Sequence, residues 1–262
     1  MKKIRIFALA LAVLTVTAMC AVTVCADDGS VVYVTIANGD LVLAHAAVTV
    51  NDADGDGVLT IDEALASAHD AAYEGGADEG YASESTDYGL SMTKLWGIEN
   101  GGAYGYYVNN ASATSLSDKI SAGDHIVAYV YTDTAAWSDT YSFFDVTATH
   151  TAIVTLTLSA AGYDENWAPV TTPVAGATIT VDGARTEFVT DGDGHVTVTV
   201  GEGTHIISAE SDSVTLVPPV CIATVAEGEN EAPQTGYETF ALAAVSLGAL
   251  CVIVKSRRYA ER

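Results

Sequence analysis

Alternating apolar and polar positions predict a hairpin followed by a helix at the start of the central part of the chain. Residues 31–37 (VVYVTIA) and 41–50 (LVLAHAAVTV) read as two strands, and the Asn38-Gly39 dipeptide between them favours a tight turn. Over residues 60–73 the apolar residues recur every three to four positions instead of every two, which predicts a helix. Four apolar residues of this helix share one face: Ile61, Leu65, Ala68 and Ala72.

The following residues predict a loop and further short strands. Residues 74–88 are rich in glycine, serine and acids and predict a loop, while residues 137–144 predict an edge strand or an aromatic flap. Three alternating runs, each bounded by glycine or aspartate, predict strands at 90–96, 104–109 and 125–131. A hairpin, a helix and then strands is the order of a β-grasp fold, so we expect an α+β module over residues 27–145.

Residues 146–225 predict a second module without helices. Apolar and small polar residues alternate in six segments, at 151–159, 177–181, 188–189, 196–200, 205–210 and 213–217. This pattern is typical of an all-β sandwich of the prealbumin or immunoglobulin type. The Asp191-Gly192-Asp193-Gly194 run between two of these segments predicts a hairpin turn.

The amino-terminal residues predict a secretory signal peptide over residues 1–26. Lys2, Lys3 and Arg5 precede an apolar run, which ends at the small residue Ala26 before an acidic pair. An uncleaved membrane helix is the alternative. Export implies an extracellular location for the rest of the chain.

The carboxyl-terminal residues combine a short motif, an apolar segment and a basic tail. Residues 232–236 (APQTG) precede an apolar run at 240–254 and the basic residues of 255–258. This arrangement resembles the sorting signal of sortase-anchored Gram-positive surface proteins, whose motif is Leu-Pro-x-Thr-Gly, although Ala232 stands where leucine is usual. The resemblance implies cleavage between Thr235 and Gly236 and attachment of Thr235 to cell-wall peptidoglycan.

The parts of this sorting segment have separate roles. Residues 226–236 are the linker and the motif, and residues 237–262 are the hydrophobic segment and tail, which would hold the chain in the membrane before sorting. The apolar run of about 15 residues is short for a permanent span, which needs about 20. A plain single-span anchor is the alternative.

The charge of the chain excludes a nucleic-acid partner. The formal net charge is −24, and most of the Lys and Arg residues lie in the two terminal segments. Between residues 27 and 235, Lys94, Lys119 and Arg185 face 32 acids, a formal charge of −29. Such a surface repels nucleic acid and attracts cations. Cys221 is the one cysteine of this part of the sequence, so no disulfide is expected within it.

Residues 52–63 (DADGDGVLTIDE) match a calcium-binding loop of the EF-hand type, D-x-D-x-D-G-x5-E. Oxygen ligands are expected from six residues: Asp52, Asp54, Asp56, Val58, Thr60 and Glu63. The predicted strand before the loop stands where an EF-hand has a helix, and the loop occurs once. We expect a weak, structural calcium site. The alternative is a solvated acidic turn in which an aspartate or Thr60 caps the helix.

Short motifs of the first module resemble the transcobalamin-like C-terminal domain family. They are residues 61–65 (IDEAL), residues 106–109 (YYVN) and the Gly123-Asp124 pair, and Asn110 replaces the usual glycine. The resemblance covers about residues 30–133 and implies a β-grasp fold. Members of this family help to cover a cobalamin, and bacterial relatives are surface modules. Binding of cobalamin or another small nutrient is therefore an alternative function.

The second module resembles carboxypeptidase-regulatory-like and prealbumin-like sandwiches, which include the B-type repeats of collagen adhesins. The resemblance lies in residues 173–181 (PVAGATITV), 190–194 (TDGDG) and 203–205 (GTH). It implies a stalk. The lysine–asparagine isopeptide bond of many such repeats is excluded here, because residues 146–225 contain no lysine.

No catalytic motif occurs in the sequence, so we expect a non-enzymatic protein. Five aromatic residues are candidates either for core packing or for a surface that clamps a ligand: Trp96, Tyr104, Tyr106, Tyr107 and Trp137. The expected function is a cell-wall-anchored module for adhesion or ligand binding, with a glycan, a protein or a small nutrient as partner. A purely structural surface or fimbrial subunit is the alternative.

Overall fold

Residues 29–227 are the part of the chain that the computed structural model describes. The predicted signal peptide, the sortase-like motif with Thr235 and Gly236, and the apolar segment of residues 237–262 lie outside these residues. Within residues 29–227, no helix is long and apolar enough to cross a membrane.

The described residues are mostly β-structure arranged in several sheets. The first part contains β1 Ser30–Ala37, β2 Leu41–Val50, α1 Ile61–Ala72, α2 Gly76–Gly80, β3 Ala82–Thr86, β4 Gly89–Lys94, β5 Tyr104–Val108, β6 Ala111–Ser112 and β7 His125–Val130. The second part contains β8 Thr140–Phe144, β9 Ala148–Thr149, β10 Ile153–Tyr163, β11 Pro169–Pro173, β12 Thr178–Val181, β13 Ala184–Val189, β14 His195–Thr199, β15 Gly203–Glu210, β16 Leu216–Val217 and β17 Cys221–Val225.

The first module is a five-stranded sheet with α1 packed against it. The strand order is β2-β1-β7-β5-β6, with β1 antiparallel to β2 and parallel to β7. The apolar face expected for the helix is buried, since Ile61, Leu65 and Ala68 are fully covered and pack with Val34 and Ile126 of the sheet. Helix and hairpin therefore form where the apolar pattern predicts them.

The predicted loop of residues 74–88 is wrong in part. It contains the short helix α2 and the strand β3, which pairs with β4 as a separate two-stranded hairpin. The sequence of β3 is ASEST, and its last three residues are exposed. This strand is defined by its backbone pairing with β4. Its sequence has no alternation of apolar residues, and for that reason it was predicted as a loop.

The second module is a sandwich of two five-stranded sheets. One sheet has the order β11-β10-β8-β16, with β14 also on β10, and the other has the order β13-β12-β15-β17-β9. Alternate residues of β10 point between the sheets, where Leu156 and Leu158 pack with Ile179, Val198 and Ile207. The core is thus built by the two-residue period of the strands.

Two assignments in this part of the chain are wrong. Strand β8 was expected in the module of residues 27–145, but it pairs with β10 and β16, and Phe144 is buried in the sandwich core. The sandwich therefore begins near residue 140 instead of 146. The turn at Asp191–Gly194 does not close a hairpin, because β13 pairs with β12 whereas β14 pairs with β10 in the other sheet.

A third cluster of buried side chains joins the two modules, and we call it the junction. Ala37, Val127 and Tyr129 of the first module pack there with Tyr141 and Val217 of the second. The ring of Tyr107 stacks on that of Tyr141, with centroids 3.6 Å apart and planes 6° apart.

The segment between the modules is held by hydrogen bonds. The carboxylate of Asp139, which is 8% exposed, accepts bonds from the backbone and hydroxyl of Thr132 and from the backbone of Asp133. The carboxylate of Asp133 in turn accepts bonds from Ala136 and Ser138. The connection is therefore a braced turn, so the two modules pack in a defined arrangement.

Candidate functional site

The predicted calcium loop connects β2 to α1, and both of its ends are anchored in the hydrophobic core of the first module. Val50 at the end of β2 and Ile61 at the start of α1 are fully buried. Between them, Gly55 and Gly57 have positive φ angles of 75° and 84°. Side chains strongly disfavour this backbone conformation, so the glycines permit the loop to turn back toward the helix.

Three of the six predicted ligands converge in this loop. Carboxylate oxygens of Asp52, Asp54 and Glu63 all lie within 4.8 Å of one another. Asp56 is not in this group, and its carboxylate accepts a hydrogen bond from the backbone of Val58 at 2.7 Å. The side chain of Thr60 lies beside Glu63.

Glu63 ties both ends of the loop together. Its Oε2 accepts hydrogen bonds from the backbone and hydroxyl of Thr60, both at 3.0 Å, and its Oε1 accepts one from the backbone of Ala53 at 2.7 Å. The hydroxyl of Thr60 accepts a bond from the backbone of Glu63, which completes a capping box. Capping of the helix by Thr60, which the sequence offered as part of the alternative to a calcium site, is therefore present.

Asp52 organises the turn from its other side. One carboxylate oxygen accepts bonds from the backbones of Gly55 and Asp56, and the second accepts one from Gly57 at 2.7 Å. These bonds, that from Gly57 above all, lower the pKa of Asp52 and favour the ionised carboxylate.

The charge of Asp54 is repelled by neighbouring carboxylates. The hydrogen bond from the backbone of Asp56 lowers its pKa, but partial desolvation and the negative charges of Asp56 and Glu63 outweigh that bond and raise it. None of the ion pairs formed within residues 29–227 includes an acid of this loop. A cation placed among these carboxylates would relieve the repulsion.

The residues present fit a hard divalent cation. Calcium takes six to eight oxygen ligands, and the loop offers carboxylates with unused lone pairs on an exposed surface where water can complete the shell. The chemistry of the donor set, all oxygen and strongly anionic, fits calcium better than zinc, which favours nitrogen and sulfur.

The five predicted ligand-facing aromatics do not form one surface, so that hypothesis is wrong. Tyr104 is buried and its hydroxyl donates to the carbonyl groups of Thr93 and Ile98. Trp96 packs against His69 and Tyr73. Tyr106 and Tyr107 are neighbours on a strand, so their rings lie on opposite faces of the sheet. Tyr106 packs against the hydrophobic core of the first module, and Tyr107 packs at the junction.

Trp137 is the exposed member of these five, with 54% of its surface accessible. Its ring lies 5.4 Å from that of Tyr131, and its indole nitrogen donates to the carbonyl of Thr134. A second exposed aromatic pair was not predicted. Tyr163 and Trp167 stand at the tip of the β10–β11 hairpin, 53% and 82% exposed.

A pair of histidines, one buried and one half-buried, was also missed. The rings of His45 and His125 meet edge to face with centroids 4.6 Å apart, and the hydroxyl of Thr35 lies 2.8 Å from Nε2 of His125. Burial lowers the pKa of His45 to about 4 and that of His125 to about 3. Strand β1 lies between β2 and β7, so the register of one sheet brings together residues 80 positions apart.

Comparisons with known proteins assign this chain to no family. No family model matches it, and no curated protein matches it. Among solved structures, the fibronectin(III)-like modules of Clostridium thermocellum CbhA match with 13% sequence identity, covering 60% of this chain and 100% of that chain. The TM-score is 0.26, which is too low to carry an argument.

Proposed function

We propose that the protein is a non-enzymatic surface protein of the adhesion or ligand-binding type, exported and attached to peptidoglycan through Thr235. The observation that carries the proposal is the order of its parts. A module with an organised acidic loop is joined by a buried junction to a β-sandwich, and the sortase-like motif of residues 232–236 follows the sandwich. The sandwich then acts as a stalk that holds the first module away from the cell wall.

The topology of the first module supports a β-grasp fold. Its first hairpin is followed by a helix across the sheet, and a later strand, β7, lies parallel to β1 at the centre. The residues that resemble the transcobalamin-like family lie on α1, β5 and the turn before β7. A small nutrient such as a cobalamin remains the alternative ligand.

Two side chains of reactive types are buried within the fold. The thiol of Cys221 is fully covered, and burial raises its pKa to about 12, far above that of a nucleophilic cysteine. His69 is fully covered too, and its ring bonds the carbonyl of Leu65 and the backbone nitrogen of Trp96. These side chains hold the fold together.

A structural fimbrial subunit is the second candidate. Strand β2 is the edge of the first sheet and could pair with another chain. However, the register shifts opposite Thr35, where His45 adopts a φ of 44°. Such a bulge interrupts the straight edge that strand addition requires, so we favour a binding role.

We propose that the loop of residues 52–63 binds one calcium ion that fixes the start of α1. Asp52, Asp54 and Glu63 would hold the ion, and the bound charge would offset their repulsion. With a dissociation constant in the range of about 10⁻⁴ to 10⁻³ M, 10 mM calcium would stabilise the protein by about 1.4–2.7 kcal/mol.

The calcium proposal is tested by thermal unfolding of the full-length chain with and without 10 mM calcium. We expect calcium to raise the melting temperature of the wild type. The gain should vanish in Glu63→Gln, because this change removes a negative charge from the site. Glutamine can still form the capping box, so the start of the helix is retained. Glu74→Gln, an exposed acid just beyond the helix, is the matched control and should retain the gain. A wild type indifferent to calcium would refute the site.

Anchoring is tested by fractionation of Gram-positive cells that express the full-length chain. We expect the wild type in the cell-wall fraction, released by a muramidase, and Thr235→Ala in the membrane fraction or the medium. Thr239→Ala, which lies three residues beyond the motif, should behave as the wild type. Equal wall attachment of Thr235→Ala would show that this threonine is not the point of linkage.

A further inference from the structure

A cleft lies between the two modules, on the outer face of one sheet of the sandwich. The turn between β1 and β2 forms one wall, strands β12 and β15 form the floor, and the segment that leads into β16 forms the other wall. Its volume is about 790 Å³. Sites for small molecules have volumes of about 300–1,000 Å³, so the cleft is large enough for a ligand.

Two hydroxyl groups on the floor lack partners. Thr180 of β12 and Ser208 of β15 lie directly opposite each other in the ladder, and both line the cleft. They are 4% and 8% exposed, and no side-chain hydrogen bond of either is found among the described residues. Neither oxygen is among the fully covered polar atoms that lack a partner, so both hydroxyls reach the cleft and can bond a molecule there.

The charge of the cleft is uniformly negative. Asp40, Asp182 and Glu210 line it, and no Lys or Arg of residues 29–227 does. Asp182 is engaged by His205 at 2.8 Å and Glu210 by Arg185 at 3.3 Å. The exposed carboxylate of Asp40, at the tip of the β1–β2 turn, makes no ion pair or side-chain hydrogen bond within the described part of the chain.

The apolar part of the cleft is aliphatic. Leu41, Ile206, Val214 and Leu216 contribute to its walls, and no aromatic ring among the described residues lines it. Neutral sugars are commonly held by stacking on an aromatic ring, which this cleft does not offer. A flexible methylene chain, in contrast, packs well on aliphatic side chains.

We infer that this cleft binds primary aliphatic ammonium groups, with the ammonium donating to Asp40 and to the Thr180–Ser208 pair while the methylene chain lies along the aliphatic walls. The chemistry has two sources, a free polyamine or the lysine side chain of a peptide. The inference is independent of calcium binding and of wall attachment, because none of its residues belongs to the acidic loop or to the sorting motif.

The test is a titration of the ¹⁵N-labelled full-length chain with spermidine, with the peptide Gly-Lys-Gly and with its Nε-acetyl-lysine form. We expect shifts of the backbone amides of Thr180, Gly183 and Ser208 with at least one of the first two ligands, and none with the acetylated peptide. Spermidine binding alone would indicate a polyamine, and peptide binding would indicate a lysine side chain.

Variants make the titration specific. Asp40→Asn and Thr180→Val should each weaken binding by roughly tenfold, since each removes a bond to a charged group. Asp87→Asn removes an equally exposed acid from the tip of the β3–β4 hairpin and should change the affinity by less than about twofold. The inference is overturned if Asp87→Asn weakens binding as much as Asp40→Asn, if the shifts map to residues 52–57 instead, or if neither amine binds.

Discussion

Replacement of Tyr141 by alanine is expected to lower the free energy of unfolding by about 3–5 kcal/mol and to divide thermal unfolding into two transitions. Tyr141 is 3% exposed, its ring stacks on Tyr107, and its hydroxyl donates to Asn110 at 2.9 Å. It therefore belongs to the second module but makes these contacts with the first. Loss of the ring would leave a cavity at the junction, and each module would then unfold at its own temperature. Scanning calorimetry of the full-length chain measures both effects.

Two variants separate the stacking of Tyr141 from its hydrogen bond and from general effects. Tyr141→Phe keeps the ring and loses the bond to Asn110, so it should cost about 1 kcal/mol and leave a single transition. Tyr88→Ala removes a ring that is 93% exposed and should have little effect. A single transition with unchanged stability in Tyr141→Ala would show that the junction does not couple the modules.

Acidification from pH 6.5 to pH 4.5 is expected to destabilise the protein by about 2.3 kcal/mol through His125 alone. The pKa of this histidine is about 3 in the folded protein, because burial disfavours the charged ring. In the unfolded chain it regains its usual pKa near 6.5, so between these values the unfolded state binds the proton and the folded state does not. Stability is therefore full above pH 6.5 and falls as the pH drops.

Two other histidines modify this dependence. His45 acts in the same direction, since burial lowers its pKa to about 4, but it is more accessible to solvent and contributes less. His205 acts in the opposite direction, because its hydrogen bond to Asp182 raises its pKa, so its stabilising effect is present at low pH and is lost as the pH rises.

Urea unfolding at several pH values tests the role of His125. In His125→Gln, the free energy of unfolding should depend less steeply on pH between 4.5 and 6.5, by about 1.2 kcal/mol per pH unit on average. His150→Gln, which replaces an exposed histidine, should leave the wild-type slope unchanged. If His125→Gln retains that slope, the acid sensitivity arises elsewhere.

The parts of the fold that the sequence predicts are those in which apolar residues repeat with the period of one element. The hairpin of β1 and β2 and the helix α1 agree with the predicted segments to within one residue at each end. Strand β3 has no such repeat, and nothing in residues 137–144 indicates which sheet they join. Pairing partners depend on the rest of the chain, so a local pattern cannot assign them.

The same contrast between local sequence patterns and tertiary contacts applies to the candidate site. The spacing within one short loop predicts the convergence of Asp52, Asp54 and Glu63, but it also predicts Asp56 in that group, and the structure leaves Asp56 out. The aromatic residues were grouped by proximity in the sequence, although strand alternation already places Tyr106 and Tyr107 on opposite faces. The histidine pair and the cleft between the modules combine distant segments, so only the tertiary structure reveals them.

The parallel pairing of β17 with β9 in the sandwich bears on mechanical load. The chain enters the sandwich through β8 and leaves it after β17, and Ile222 and Ala223 of β17 lie beside Ala148 and Thr149 of β9. If the protein is held at the wall and pulled at its first module, these parallel neighbours are drawn in opposite directions along their length. Their hydrogen bonds then lie across the pull and must break together in shear, whereas the strands of a hairpin pulled at its open end separate one bond at a time. The sandwich would in this way transmit tension between a bound partner and the cell surface.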